Sequence, residues 1–207
     1  MSETGPTTFI VDDDSGVLKA LGRLLRSAGY DARTFSSALD FLAAHDPDLP
    51  GCAVLDLSMP ELDGLQLQEK LTCGGIVRPV IFLTANGDIR SSVSAMKAGA
   101  VDFLTKPVKR DELLAAIDRA LELDATSRRE NDDRKTVDCK LARLTPRERE
   151  VLSHVVAGRL NKQIAADLGT VEKTIKVHRG RMMHKLGVRS IAELVRLTER
   201  AGVRPQN

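Results

Sequence analysis

The chain of 207 residues carries 31 Lys and Arg against 29 Asp and Glu, is 42% hydrophobic, and has one Tyr and no Trp. That is room for one large or two small domains with ordinary cores, and the scarcity of aromatics disfavours a stacking platform for single-stranded nucleic acid. Charge is uneven: residues 1–125 hold 12 basic and 19 acidic residues, net −7, and residues 126–207 hold 19 and 10, net +9. The second half alone is thus the candidate for meeting a polyanion, although opposite charges also suit docking of the halves.

Cys52, Cys73 and Cys139 are scattered, with no CxxC pair. Neither a zinc site nor a disulfide framework is suggested, which fits a reducing cytoplasm. The opening MSETGPTT has no basic or apolar region of a signal peptide. No apolar run approaches the roughly 20 residues that span a bilayer.

In chain order, Phe9-Ile10-Val11 reads as a short buried strand ending in Asp12-Asp13-Asp14. Val17, Leu18, Leu21, Leu24 and Leu25 recur at helical spacing over residues 15–28, and Gly29 stops that helix. A strand over 31–35 and a short helix over 38–44 come next. Ala53-Val54-Leu55 is a second buried strand, ending in Asp56, and its loop carries Pro60 and the turn pair Asp63-Gly64. A helix near 65–72 leads to the strand Val80–Leu83, which ends in Thr84. A helix near 89–98 leads to the strand 101–104, which ends in Thr105-Lys106-Pro107, and a helix near 111–123 closes the series. Five strands alternating with helices predict a parallel, doubly wound α/β sheet.

Ligands sit at the carboxyl ends of strands in such sheets. A single Asp at a strand end reads equally well as a cap. Four strand ends that offer carboxylates, a hydroxyl and an ammonium form a set able to hold a hard divalent cation and balance a phosphoryl group.

This set, in this order over residues 7–122, closely resembles the receiver domain of two-component response regulators. The resemblance implies a CheY-like fold in which Asp56 accepts a phosphoryl group from a histidine kinase. It implies Mg²⁺ (or Mn²⁺) on Asp13, Asp56 and the backbone carbonyl of Ser58, with Asp12 helping through water. Lys106 would offset the repulsion between carboxylate and phosphoryl donor, aimed by a cis Lys106-Pro107 peptide. Thr84 and Phe103 match the switch pair, although Phe103 by itself also reads as a plain core aromatic. Asp14 exceeds the site's needs and reads as a loop or helix cap. Val93 and Met96 read either as a dimer patch or as helix core.

From 124 to 140 the apolar stripe fades, and SRRENDDRK reads as a linker, either flexible or a solvated extension of the preceding helix. Thr145-Pro146-Arg147-Glu148 is then a capping box with Pro at the first helical position. Helices are expected near 146–157, 161–168, 172–186 and 191–199, with a tight turn at Gly169 that predicts a helix-turn-helix. In the third of these, Ile175, Met182 and Leu186 form the inward stripe. Lys173, Val177, Gly180 and His184 then point outward, with Lys176 on the flank.

LTPREREVL, NKQIAADLG and EKTIKVHRGRMMHKLGVRSIAELV resemble the LuxR/NarL-type DNA-binding domain over 141–200. The whole chain is similar to the FixJ/NarL class, closest to its FixJ side, with a receiver at 1–123, a linker at 124–140 and an output domain at 141–207. The resemblance places Lys176, Val177 and Gly180 nearest the bases of double-stranded DNA, with Lys173 on the same face. Arg181, Lys185, Asn161 and Lys162 are implied phosphate contacts, each also readable as a surface residue. It further implies a homodimer on phosphorylation and RNA polymerase as a partner. Leu160 and Val171 stand where the family favours hydroxyl caps, and Asn161 and Thr170 are the expected substitutes. Two other readings compete: a constitutive DNA-binding protein with a receiver scaffold, and an Asp-nucleophile phosphatase, which would want a second acid where Ser58 stands.

Overall fold

Alternation along each strand decides which side of the sheet a residue serves. Phe9, Val11, Ala53, Leu55, Val80 and Phe82 bury on one side. Ile10, Cys52, Val54, Ile81 and Leu83 bury on the other. Strands that are apolar on both sides need cover on both, which is why the sheet is doubly wound. A computed structural model of the chain describes residues 5–85, 95–96 and 98–200.

The strands are β1 (Thr7–Val11), β2 (Asp31–Phe35), β3 (Gly51–Asp56), β4 (Val80–Thr84) and β5 (Asp102–Thr105). All pair in parallel, in the order β2-β1-β3-β4-β5. The connections that cover them include α1 (Ser15–Ser27), α2 (Ala38–Ala44) and α3 (Gly64–Cys73). The helix expected near 89–98 lies outside the described residues, apart from helical Ala95 and Met96.

Of the two readings of the linker, the structure has the helical one: the helix read near 111–123 runs on through it as a single helix, α4 (Arg110–Ala142), of 33 residues. Leu113, Ala116, Ile117 and Ala120 bury its first part. From 129 to 136 every residue is exposed. That stretch has no apolar stripe to announce a helix, yet its Arg, Glu and Lys are good helix formers.

The chain divides into two compact units, residues 1–128 and 129–207. The second unit contains α5 (Pro146–Val156), α6 (Asn161–Asp167), α7 (Glu172–Leu186) and α8 (Ile191–Arg200). Val151, Leu152, Val155, Ile164, Ile175, Met182, Leu186 and Leu194 make its core. Thr145 caps α5 through the expected box with Glu148.

The next two helix starts are different. Leu160 and Val171 are themselves the N-caps of α6 and α7, and neither side chain can accept an amide proton. Asn161 is already helical and Thr170 lies outside, so neither substitute cap forms. Gln163 partly compensates in α6 by accepting from the Leu160 amide at 2.9 Å. Val171→Ser should therefore stabilise the second unit by about 1 kcal/mol, read as a rise in its thermal midpoint with unchanged helix content.

Candidate functional site

The strand order reverses between β1 and β3, because β1 leads to β2 on one side and β3 to β4 on the other. A crevice opens at such a switch point, beyond the carboxyl ends of the strands. Asp12 and Asp13 come directly after β1, and Asp56 ends β3. One carboxylate oxygen from each lies within 4.8 Å of those from the other two.

Burial grades the three. Asp12 is fully buried, Asp56 nearly so and Asp13 exposed. The Asp14 amide donates to Asp12 Oδ1 at 2.9 Å. The Ser58 amide donates to Asp56 Oδ1 at 3.3 Å. Asp14 turns away and caps α1, accepting from the Gly16 and Val17 amides.

Lys106, just past β5, supplies the opposing charge. Its Nζ lies 2.6 Å from Asp12 Oδ2 and 2.9 Å from Asp56 Oδ2. The Lys106-Pro107 peptide is cis. The Lys106 amide donates to the Thr84 carbonyl at 2.7 Å, tying it to the end of β4. Burial alone would lower the Lys106 pKa, but its bonds to Asp12 and Asp56 outweigh that and raise it. Burial raises the Asp12 carboxyl above its ordinary value, and the Lys106 and Asp14 hydrogen bonds only partly offset this. Three carboxylates facing one ammonium leave an excess of negative charge on hard oxygen donors. That composition fits a divalent cation such as Mg²⁺.

Gly64 lets α3 begin against this pocket. A Cβ there would stand 2.4 Å from the Asp56 carbonyl oxygen and 3.0 Å from the Phe82 ring. Thr84 is buried, and Phe103, directly opposite Phe82 across the ladder, is half-buried against the same core. Val93 lies outside the described residues, while Met96 is half exposed.

Residues 8–118 match the response regulator receiver domain family. Residues 142–198 match the luxR family of bacterial regulatory proteins. The chain is a response regulator with a LuxR-type output domain. The regulator is 46% identical to the response regulator protein TodT of Pseudomonas putida F1 over 201 residues, covering 97% of this chain and 88% of TodT. It is 41% identical to the transcriptional regulatory protein FixJ of Azorhizobium caulinodans over 205 residues, covering 99% and 97%. Among solved structures, the response regulator StyR aligns with a TM-score of 0.85 at 46% identity, over 95% of this chain and 99% of that one. Full-length FixJ from B. japonicum aligns at 0.58 and 38% identity, over 96% and 98%. Among the described residues no helix is long and apolar enough to cross a membrane.

In the regulator's output domain, Ile175, Met182 and Leu186 are buried, and Lys173, Lys176, Val177, Gly180, Arg181 and His184 are exposed. Lys162 is exposed as well. Two expected phosphate contacts are engaged elsewhere. Lys185 Nζ lies 2.7 Å from Glu148 Oε2, and the Glu148 side chain is only 3% exposed. Asn161 Oδ1 accepts from Arg179 Nη1 at 2.9 Å, bracing α6 against α7. Neither link is visible in the sequence, because the partners lie 37 and 18 residues away. The Glu148 of a capping box gives no hint of a second partner.

Proposed function

We propose that this response regulator is a phosphorylation-controlled transcription factor in which Asp56 is the acceptor. The observation that carries the reading is the Lys106 ammonium bonded to both Asp12 and Asp56 at the switch point. An Asp56 oxygen attacks the phosphorus of a histidine kinase's phosphohistidine. The N–P bond breaks, the imidazole leaves with its electron pair, and an acyl phosphate remains. The nucleophile and the donor are both anionic, so the attack needs positive charge close by. Lys106 supplies part of it and keeps its proton throughout. Asp13, Asp56 and the Ser58 carbonyl, with Asp12 through water, would hold Mg²⁺ (or Mn²⁺), which supplies the rest. The chain performs this transfer on itself and hydrolyses the product slowly. Ser58, standing where a phosphatase needs its second acid, supports that division.

Thr84 then closes toward the new phosphoryl oxygens, and Phe103 repacks into the space it leaves. Lacking a phenol hydroxyl, Phe103 signals by ring packing alone. The changed face next to β5 pairs two receivers, and α7 of each output domain enters a major groove. Lys176 and Val177 face bases, Gly180 permits close approach, and Lys173, Arg181 and Lys162 face phosphates. The bound dimer acts on RNA polymerase in the cytoplasm. The working division is a receiver to residue 123, a linker from 124 to 140 and an output domain from 141.

The test is sedimentation and DNA titration of the full chain, with and without acetyl phosphate and Mg²⁺. Together the two reagents should shift monomer toward dimer and tighten binding to a duplex with two half-sites about 10 bp apart. DNA binding of equal strength in both conditions would leave the receiver as a scaffold and overturn the proposal.

A further inference from the structure

The end of the receiver sheet opposite Asp56 carries a second charged cluster, built around the loop between α2 and β3. Arg78, 7% exposed, donates from Nη1 to the Leu49 and Gly51 carbonyls and from Nη2 to that of Asp46, at 2.8, 3.1 and 3.0 Å. Its guanidinium carbon lies 4.9 Å from the centre of the Phe9 ring. Arg128, on α4, completes the set. Its Nη1 donates to the Asp48 carbonyl at 3.0 Å, and its Nη2 to those of Pro47 and Leu49 at 2.9 Å each. Its Nε donates to Asp124 Oδ2 at 2.8 Å, and the same oxygen accepts from the Gly51 amide at 2.8 Å.

An ordinary i,i+4 ion pair on a helix is exposed and contributes little to holding the helix in place. This one differs in kind, because Asp124 is 2% exposed and both partners reach distant backbone, Asp124 at the start of β3 and Arg128 in the loop before it. A guanidinium is a rigid planar fork, so three bonds to fixed carbonyls set its orientation, and with it the azimuth of the turn that carries it. The apolar contacts of α4 with the receiver core end near Leu121. Beyond that point Asp124 and Arg128 hold the helix on the receiver through the bonds to Gly51, Pro47, Asp48 and Leu49. The exposed turns over 129–136 continue the same helix, and that turn sets the phase at which they leave the receiver.

We propose that Asp124 and Arg128 are positioning residues for the output, fixing the rotational phase of the helix that leaves the receiver. The inference rests on the proposed phosphorylation control and adds the element that conveys it. The Asp56 pocket, at the other end of the strands, does not depend on these two residues.

The test uses the full chain and a duplex selected from a random-sequence pool by the phosphorylated protein. One, two or four alanines are inserted after Asn131, and each version is made with Arg128 or Arg128→Gln. The readout is the factor by which acetyl phosphate with Mg²⁺ raises DNA affinity. Each inserted residue rotates the downstream part of the helix by about 100°. With Arg128 present, two alanines should cut the factor at least about fivefold and four should restore most of it. Arg128→Gln without insertion should cut it by a similar amount, remove the dependence on phase, and leave phosphoryl uptake at Asp56 at the parental level. Amide exchange over residues 124–131 should accelerate in Arg128→Gln. Asp124→Asn, which still accepts from Gly51, should lose less. A parental factor in Arg128→Gln, or a smooth decline with insertion length, would overturn the proposal. If the parent gains nothing from acetyl phosphate, phosphorylation control falls. Amide exchange then decides alone, and unchanged exchange in Arg128→Gln overturns the positioning role.

Discussion

Asp56→Asn is expected to abolish phosphoryl uptake altogether, while Lys106→Ala should slow it by about 10²–10³-fold. The two losses have different causes. Asn removes the nucleophilic oxygen but leaves Lys106 beside Asp12. Ala leaves the nucleophile and removes the ammonium that touches both buried carboxylates. Lys106→Ala also leaves Asp12, fully buried, with no cation in contact among the described residues. That receiver should be less stable in EDTA than the parent and gain more from added Mg²⁺. Intact-mass spectrometry after acetyl phosphate treatment reads the uptake, and thermal melts with EDTA or Mg²⁺ read the rest. A phosphoryl adduct of parental yield on Asp56→Asn would falsify the acceptor assignment.

Lys185→Ala should unfold the output domain more readily, at a cost of about 2 kcal/mol, because it strands a buried Glu148 carboxylate. The figure is set below that for a fully buried pair because a third of the Lys185 side chain is exposed. Burial alone would raise the Glu148 pKa, but its hydrogen bonds from Lys185 and Thr145 outweigh that and hold it below the usual 4.5. A depressed carboxyl pKa contributes stability that is whole above about pH 4.5 and is lost as pH falls through the folded value. The parent domain should therefore weaken below that pH, and Lys185→Ala should lose most of this acid sensitivity. Arg181→Ala is the contrast: stability unchanged, with the salt slope of DNA binding reduced by about 1. Urea titrations at several pH values, beside DNA titrations at several salt concentrations, separate the two. A Lys185→Ala domain as stable as the parent but with a shallower salt slope would return Lys185 to the phosphate contacts.

The contrast between Asp56 and Lys185 marks what a sequence reveals. Asp12, Asp13, Asp56 and Lys106 are legible because apolar strands announce their own ends, and parallel topology gathers those ends at one edge. The stripe of Ile175, Met182 and Leu186 is legible because burial imposes a period on α7. Polar pairs across the fold leave no such period. Nothing near Lys185 names Glu148, and nothing near Asn161 names Arg179. For the same reason Asp124 and Arg128 read as members of a charged linker, although they grip a loop about 80 residues earlier. The cap substitutes fail on a finer point. Helix entry is set by backbone geometry to within one residue, and sequence places it less sharply.

Tyr30, the chain's one tyrosine in the absence of Trp, donates its phenol to Asp118 Oδ1 at 2.6 Å, joining the turn before β2 to α4. Tyrosine emission from this protein therefore comes from a single position, on the receiver alone, and a carboxylate acceptor quenches it. Unfolding of the receiver should brighten that signal while unfolding of the output domain leaves it dark, so the two units can be followed separately without a label. The bond to Asp118 and partial burial push the phenol up to about 12. Since an unfolded tyrosine ionises near 10, receiver stability should decline as pH rises beyond that value, and phenolate absorbance in the native protein would lag behind the same protein in urea.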